Sequence, residues 1–287
     1  MVISGSTRIC AIIGDPVSHS LSPQMHNAAF KKLELDFAYV PFLVKAGELP
    51  AAAKGLRALN SAGFNVTIPH KVSVIPLLDG LDPVARQIGA VNTVVNESAK
   101  LIGYNTDAEG FLKALEENHV DPTGKKIAVL GAGGASRAIT FILASKGAYL
   151  TVFNRRENLT RAEELASLVT KQTGLPVRAM ALDDLSEGLK GVGLLVNTTS
   201  VGMSPESSYT PVPAVLLKGI PLVFDIVYNP RHTRLLKEAK QAGAKTIDGL
   251  EMLVWQGAMA FEKWTGRSAP VGVMRREAAK MLRNKNA

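Results

Sequence analysis

Short apolar runs alternate with longer amphipathic stretches along this chain of 287 residues. An apolar run of about 4–8 residues predicts a buried strand, and apolar positions three and four residues apart predict a helix. Alternating strands and helices are typical of a parallel, doubly wound sheet with helices on both faces. In the second half of the chain, strands are predicted near residues 127–130, 149–153, 177–180, 194–197, 222–225 and 246–247.

The first half of the chain also predicts an α/β domain, with two strands paired around a turn. Two long helical patterns close the chain with no strand after them, so we expect them to pack on this first domain. Its strands are predicted at residues 7–14, 37–42, 63–67, 94–96 and 101–104, and the closing helices at 250–264 and 271–283.

A glycine-rich turn follows the strand at 127–130 and precedes a helical pattern. This is the context of a dinucleotide-binding turn. Gly131 allows the tight turn, Gly133 lets the backbone approach a pyrophosphate, and Ser136 is the small residue where helix and strand lie close. The N–H groups that open the helix would bind the phosphates. The alternative is a glycine-rich loop that binds nothing.

The end of the next strand indicates which dinucleotide is bound. An NAD-binding turn usually has an acidic residue about 20 residues past its glycines. Here the strand ends in Asn154, Arg155 and Arg156. A guanidinium suits a phosphate because its planar fork donates two hydrogen bonds and its charge is permanent. The sequence therefore favours NADP(H), although two surface arginines would look the same.

Two segments of the first half have candidate binding and catalytic groups. Ser22 and Pro23 predict a helix start with Ser22 as the N-cap, and Ser20 lies in the same loop after the first strand. Pro69 can open another helix, which would place Lys71 in its first turn, where the helix dipole disfavours a cation. A lysine there is either a solvated surface charge or has a function.

Composition excludes several classes of protein. The hydrophobic share of 46% and charged share of 20% argue against disorder, and the net charge of +8 is spread along the chain without a nucleic-acid-binding module. The single cysteine, Cys10, lies in an apolar run and is expected to be a buried thiol. The five histidines have no paired metal-binding spacing, so no metal is expected. We find no leader and no bilayer-length run, and expect a soluble, cytoplasmic protein without a membrane partner.

Eight motifs stand in a fixed order along nearly the whole chain. They are Ser20–Pro23, Asn65–Lys71, Ala90–Thr93, Gly103–Asp107, Gly131–Ala135, Asn154-Arg155, Tyr228–Pro230 with Thr233, and Gly249–Leu253 leading to Gln256. Taken together, these motifs closely resemble the shikimate dehydrogenase (shikimate/quinate dehydrogenase) family. Two departures from the usual family pattern are Arg156, where many relatives have Thr, and Ser136, where Ala is frequent.

The resemblance implies NADP-dependent, reversible reduction of 3-dehydroshikimate to shikimate in aromatic amino-acid biosynthesis. It implies a substrate-binding catalytic domain over residues 1–107 and 249–287, a Rossmann-type NADP-binding domain over 108–248, and a monomer or homodimer. Lys71 is then the acid–base residue and Asp107 its partner. The substrate-binding residues are Ser20, Ser22, Thr67, Asn92, Tyr228 and Gln256; the cofactor-binding residues are Gly131, Ala132, Gly133, Gly134, Ala135, Asn154, Arg155, Arg156, Ile226 and Gly249.

Three alternatives remain at this stage. The first is a dual quinate/shikimate dehydrogenase that uses NAD or NADP. Quinate has an additional hydroxyl at the carboxylate-bearing carbon, and Ser20, Ser22 and Thr67 favour shikimate. A non-catalytic NADP-sensing protein would not need Lys71 and Asp107. A folate-type or other small-alcohol dehydrogenase would not need the two serines, and fold analogy alone does not separate it. Without the resemblance, Asn92 and Asp107 could be only turn or cap residues.

Overall fold

The computed structural model describes residues 3–285, which form two compact units. The first unit comprises the chain up to Gly110 together with Val254–Lys285, and the second comprises Phe111–Leu253. Each unit contains one six-stranded sheet. Residues 1, 2, 286 and 287, which the sequence assigns to the substrate-binding domain, lie outside the described residues.

Twelve strands and ten α-helices are assigned within residues 3–285. The strands are β1 (Arg8–Gly14), β2 (Phe37–Leu43), β3 (Gly63–Val66), β4 (Gly80–Leu81), β5 (Thr93–Glu97), β6 (Lys100–Tyr104), β7 (Lys126–Leu130), β8 (Tyr149–Asn154), β9 (Val177–Ala181), β10 (Leu194–Asn197), β11 (Leu222–Asp225) and β12 (Lys245–Ile247). The helices are α1 (Ser22–Lys32), α2 (Leu49–Ala58), α3 (Pro83–Ile88), α4 (Asp107–Glu117), α5 (Gly134–Ser145), α6 (Leu159–Thr173), α7 (Leu185–Gly188), α8 (Arg234–Gln241), α9 (Leu250–Thr265) and α10 (Val271–Lys285).

The sheet of the first unit is mixed, with strand order β2-β1-β3-β5-β6-β4. β1 pairs in parallel with β2 and β3, whereas β5 is antiparallel to both β3 and β6. The strand pair predicted around residues 97–100 is therefore confirmed. Cys10 lies on the central part of β1 and is buried with a free thiol, as its apolar surroundings predict.

The sheet of the second unit is parallel throughout, with strand order β12-β11-β10-β7-β8-β9. β7 lies in the middle, and its residues from Ile127 to Leu130 are almost completely buried. A strand buried on both faces has a continuous apolar sequence, which explains why it could be recognised. The order reverses at β7, as expected for a doubly wound Rossmann-type sheet. The predicted α/β fold class is confirmed.

The helix predicted to open at Pro69 is not formed. The backbone from Ile68 to Val74 makes a series of turns, followed by a short 3-10 helix at Ile75–Leu77. The carbonyl of Lys71 accepts a hydrogen bond from the N–H of Val91 at 2.7 Å. A helical bond to the residue four positions later is replaced by this long-range bond, so the helix-dipole argument does not apply to Lys71.

The predicted N-cap role of Ser22 is also wrong. α1 begins at Ser22, Leu21 holds the cap position, and no side chain caps this end. The N–H of Ser22 instead donates to Oγ of Ser20 at 3.2 Å. The Ser22 hydroxyl is thus not used as a helix cap.

Candidate active site

Lys71 and Asp107 form a close, largely buried ion pair in the first unit. Nζ of Lys71 lies 2.6 Å from Oδ2 of Asp107, and the two side chains are 14% and 6% exposed. Asp107 is the first residue of α4, where the helix dipole favours a carboxylate. Its N–H donates to Oδ1 of Asn105 at 3.0 Å, which fixes the start of the helix. Asp107 is therefore positioned both by the hydrogen bond of its backbone N–H and by the ion pair with Lys71.

Asn92 joins this pair to two further segments of the chain. Its Nδ2 donates to Oδ1 of Asp107 at 2.9 Å and lies 3.4 Å from Oε1 of Gln256. Gln256 comes close because Gly110 has no side chain; a Cβ at Gly110 would lie 2.9 Å from the Gln256 backbone nitrogen. Hydrogen bonds thus bring together four residues that are far apart in sequence: Lys71, Asn92, Asp107 and Gln256.

A buried polar layer behind Asn92 sets its orientation. The hydroxyl of Tyr39 donates to Oδ1 of Asn65 at 2.6 Å, and Nδ2 of Asn65 donates to Oγ1 of Thr93 at 3.0 Å. Thr93 in turn donates to Oδ1 of Asn92 at 3.1 Å, and the N–H of Thr106 donates to the same oxygen at 2.8 Å. With Oδ1 occupied as an acceptor, Nδ2 is directed to Asp107.

Three predicted substrate-binding hydroxyls lie beyond the carboxyl ends of two neighbouring strands, β1 and β3. Ser20 and Ser22 are in the loop after β1 and at the start of α1, and Thr67 directly follows β3. Gly14 ends β1 beside Thr67, and a side chain there would collide with the Thr67 methyl group. Ligands of α/β sheets bind at this edge.

In the second unit, hydrogen bonds on both sides of Gly131 hold the turn after β7. Gly131 has a φ of +101°, which favours glycine, and its N–H donates to the Phe153 carbonyl at 2.7 Å. Its carbonyl accepts from Oγ of Ser136 at 2.6 Å. Gly133 is the N-cap of α5 with no side-chain cap, and a Cβ there would meet no protein atom within 4 Å. An uncapped helix start with open space beside it fits a phosphate group.

The segment after β8 carries the three residues predicted to select NADP. Asn154 organises the turn, since its Nδ2 donates to the Asn158 carbonyl at 2.9 Å. Arg155 lies 3.4 Å from Glu157, measured between Nη1 and Oε1. Arg156 is engaged differently: its Nε lies 2.7 Å from Oδ2 of Asp183, in the segment after β9. Both arginines are mostly exposed.

Ile226 and Gly249 lie against each other. A side chain at Gly249 would collide with the Ile226 carbonyl, and the Gly249 N–H donates to the Val227 carbonyl at 3.3 Å. Tyr228 follows in the same segment and is partly buried. Burial raises the pKa of its phenol to about 12, so the hydroxyl is neutral and can donate a hydrogen bond.

Within residues 3–285, no group of three His, Cys, Asp or Glu side chains could hold a metal ion. No helix in this part of the chain is long and apolar enough to cross a membrane.

Family models match both units. The shikimate dehydrogenase substrate-binding domain matches residues 12–94, and the shikimate / quinate 5-dehydrogenase model matches residues 113–253. The shikimate 5'-dehydrogenase C-terminal domain matches residues 249–278. The chain belongs to the shikimate dehydrogenase family. The resemblance inferred from the motifs is confirmed.

Members of the shikimate dehydrogenase family match nearly the full length. A shikimate dehydrogenase (NADP(+)) from Carboxydothermus hydrogenoformans is 48% identical over 96% of this chain and 98% of its own. The crystal structure of a shikimate dehydrogenase in complex with NADP+ superposes with a TM-score of 0.92, at 42% identity over 98% of both chains. A shikimate 5-dehydrogenase from Thermus thermophilus, in complex with NADP(H) and shikimate, has a TM-score of 0.83 and 40% identity over 95% of this chain and 99% of its own.

Several polar residues around the family's lysine motif were missing from the predicted site. Four of them stand within motifs but were given no role: Asn65, Thr93, Asn105 and Thr106. Nothing in the local sequence distinguishes Tyr39 from an ordinary core residue. The one available signal is Asn105, since an Asn two residues before a helix often caps it. The other roles depend on contacts between strands that are distant in sequence.

Proposed function

We propose that Lys71 is the proton donor and acceptor of a dehydrogenase site and that Asp107 holds it in place. The chain catalyses the NADP-dependent interconversion of 3-dehydroshikimate and shikimate. The observation that carries the assignment is the close Lys71–Asp107 pair, little exposed and bonded to Asn92. A lysine so placed is available for chemistry and is not a solvated surface charge.

The charge on Lys71 suits the reduction. NADPH, when bound, supplies the hydride that adds to the substrate carbonyl carbon. Negative charge then grows on the carbonyl oxygen, where an ammonium group both stabilises it and delivers the proton. Oxidation of the alcohol to the ketone releases one proton, so we expect that direction to be favoured at alkaline pH.

The predicted substrate residues supply groups that match a hydroxylated ring acid. Ser20 and Ser22 donate to the carboxylate without adding a buried cation, and we assign Tyr228 to the substrate as well. Thr67, Asn92 and Gln256 offer both donors and acceptors for the ring hydroxyls. A pocket of this kind discriminates strongly, because an analogue that lacks a hydroxyl leaves a polar group unpaired.

We assign cofactor binding to the second unit and substrate binding to the first. The start of α5 would hold the pyrophosphate, Asn154 with Arg155 and Arg156 the adenosine 2′-phosphate, and Ile226 with Gly249 the nicotinamide. The cytoplasmic location and the monomeric or homodimeric state stay predictions. The residues assigned to the phosphate turn are Gly131, Ala132, Gly133, Gly134 and Ala135.

The deciding test is steady-state shikimate oxidation with NADP+, followed by nicotinamide absorbance, in wild type and Lys71→Ala. Loss of a positioned acid–base group lowers kcat by about 10²–10⁴-fold, whereas the KM for NADP+ should stay within about twofold. Lys113→Ala, on the exposed side of α4, is the matched control and should keep wild-type rates. Near-wild-type turnover by a folded Lys71→Ala would remove Lys71 from the role.

Two additions sharpen this test. Asp107→Asn keeps the shape of the side chain; a rate well above that of Lys71→Ala fits an orienting role, and an equal loss indicates that Asp107 takes part in proton transfer. The second addition compares kcat/KM for quinate and shikimate, which shows how the additional hydroxyl at the carboxylate-bearing carbon affects turnover. We expect a clearly lower kcat/KM for quinate with both NADP+ and NAD+.

A further inference from the structure

Asp225 is a buried carboxylate that has no part in the proposed chemistry. It is the last residue of β11 and is fully buried. Burial raises the pKa of its side chain to about 6. An ionised carboxylate in such a place is costly unless hydrogen bonds satisfy it, and a neutral side chain of similar size would be cheaper.

Three donors from three different segments converge on this carboxylate. Nδ2 of Asn197, at the end of β10, donates to Oδ1 at 2.9 Å, and the N–H of Val227 donates to the same oxygen at 3.1 Å. The hydroxyl of Thr233 donates to Oδ2 at 2.7 Å. Thr233 is also the N-cap of α8, where its hydroxyl accepts from the Leu236 N–H at 3.3 Å. Asp225 therefore ties β10, β11 and α8 together.

The segment between these ties contains Ile226. Its N–H donates to the Asn197 carbonyl at 3.1 Å, and the next N–H, of Val227, is the one bound by Asp225. The other end of the segment is held by Arg231, whose Nε and Nη2 donate to Oδ2 of Asp248 at 2.9 and 2.7 Å. Asp248 precedes Gly249, which lies against the Ile226 carbonyl. The backbone of Ile226 is thus fixed on both sides.

We propose that Asp225 is a positioning residue for cofactor binding, which holds the Ile226–Val227 backbone against Gly249 and so shapes the surface that receives the nicotinamide. Because Ile226 and Gly249 have that role only under the proposed function, the inference rests on it. Asp225 itself touches neither cofactor nor substrate in this scheme. It acts through the segment that it holds.

The experiment compares two ligands that share one half. NADPH has both the adenosine 2′-phosphate half and the nicotinamide half, whereas adenosine 2′,5′-bisphosphate lacks the nicotinamide. Their dissociation constants are measured by nicotinamide fluorescence and by calorimetry for wild type, Asp225→Ala, Asp225→Asn and Ile226→Ala. Asp121→Ala, an exposed carboxylate in the same unit, is the control for removal of a negative charge.

We expect Asp225→Ala to weaken NADPH binding about tenfold, because the hydrogen bonds that position the Ile226–Val227 segment are lost. The dissociation constant of the bisphosphate should stay within about twofold of the wild-type value. Asp225→Asn should recover wild-type NADPH binding to within about threefold, because its amide oxygen can accept from Asn197 and Val227 while its NH2 donates to Thr233. In the double variant Asp225→Ala/Ile226→Ala, the loss should not exceed that of the larger single variant.

The opposite results are distinct. Equal weakening of both ligands by Asp225→Ala would show a general structural role and overturn the inference, and so would additive losses in the double variant. No effect of Ile226→Ala on NADPH binding would overturn it as well, by removing the segment from the nicotinamide. A wild type that binds no NADPH would refute the proposed function itself.

Discussion

At the scale of single residues, the site depends on polar groups that are each bound by more than one partner. Asp107 receives Lys71 on one oxygen and Asn92 on the other, and Asn92 is itself fixed by Thr93 and Thr106. A carboxylate bound in this way cannot turn without breaking several bonds. Such multiply bonded side chains hold the site in the fixed geometry that catalysis requires.

His26 gives a prediction about pH and stability. The ring is fully buried, stacked on Tyr39 with centroids 4.4 Å apart and 5.3 Å from the Trp264 ring. Within the described residues neither ring nitrogen has a hydrogen-bond partner. Burial lowers the pKa of the imidazole from 6.5 to about 3. The unfolded chain therefore binds a proton below pH 6.5 that the folded chain does not accept.

By linkage, His26 leaves the free energy of unfolding unchanged above pH 6.5 and lowers it by about 1.4 kcal/mol for each pH unit as the pH falls from 6.5 towards 3. Between pH 7.5 and 5, the free energy of unfolding of wild type should fall by about 2 kcal/mol more than that of His26→Phe. Urea unfolding at both pH values measures it, with the exposed His119→Asn as control. Equal losses in wild type and His26→Phe would contradict the assignment.

Only some residues of the candidate site could be predicted from the sequence. The Lys71 and Asp107 assignments came from motifs, and the structure brings the two side chains within 2.6 Å. Thr93 and Tyr39 were given no role, because their importance arises only from which atoms the folded sheet places next to Asn65 and Asn92. The roles assigned to the predicted site residues themselves stay predictions.

At the scale of elements, strands were predictable where they are continuously apolar, as in β7, because burial on both faces leaves little choice of residue. The segment after β3 was not, since Pro69 is a good helix start and no local signal shows that the Lys71 carbonyl accepts from the distant Val91 N–H. The cap of α1 was misplaced by one residue, and here the competing partner is close in sequence: the Ser20 hydroxyl accepts from the Ser22 N–H. Local signals fail where a different hydrogen bond is available.

The two arginines after β8 lead to a prediction about cofactor choice. Arg156 bridges to the segment after β9 through Asp183 and, at 3.7 Å, Asp184, whereas Arg155 has one neighbouring carboxylate at 3.4 Å. Arg155 is therefore freer to bind a 2′-phosphate. We expect Arg155→Ala to lower kcat/KM for NADP+ by about 10–100-fold, the loss of a charge-assisted bidentate contact. Arg156→Ala should lower it by a smaller factor, because the Arg156 guanidinium also binds Asp183.

NAD+ is the internal control for both arginine variants, since it lacks the 2′-phosphate, and its kcat/KM should change little. A loss with NAD+ as large as with NADP+ would mean that Arg155 supports the turn and does not select the cofactor. A larger effect at Arg156 than at Arg155 would show that the Asp183 pair opens to release its guanidinium.

At the scale of the whole molecule, the first unit is assembled from both ends of the chain. Trp264 on α9 donates its indole N–H to the Val94 carbonyl at 2.9 Å, and Gly63 leaves the space that its ring occupies. The second unit is continuous in sequence. The two cores are thus distinct, and damage to one can be located by hydrogen exchange.

Trp264→Ala should destabilise the first unit by about 3–5 kcal/mol, as expected for loss of a buried tryptophan. Amide exchange should quicken in β1, β3 and β5, more than 150 residues earlier in the sequence, while β7, β10 and β11 stay protected. Tyr149→Ala, which removes an exposed aromatic ring, should leave both units unchanged. Faster exchange confined to residues near 264 would contradict the prediction.

The position of α9 and α10 also sets an order of events during synthesis on the ribosome. Residues 111–253 of the second unit are made before most of α9 and all of α10, so this unit can begin to fold while the nascent first unit still lacks these helices. Asn92 and Asp107 are made early but must wait for Gln256, so their network acquires this neighbour only after α9 has been made. Late in translation, then, the proposed cofactor-binding unit is complete in sequence before the proposed substrate-binding unit is.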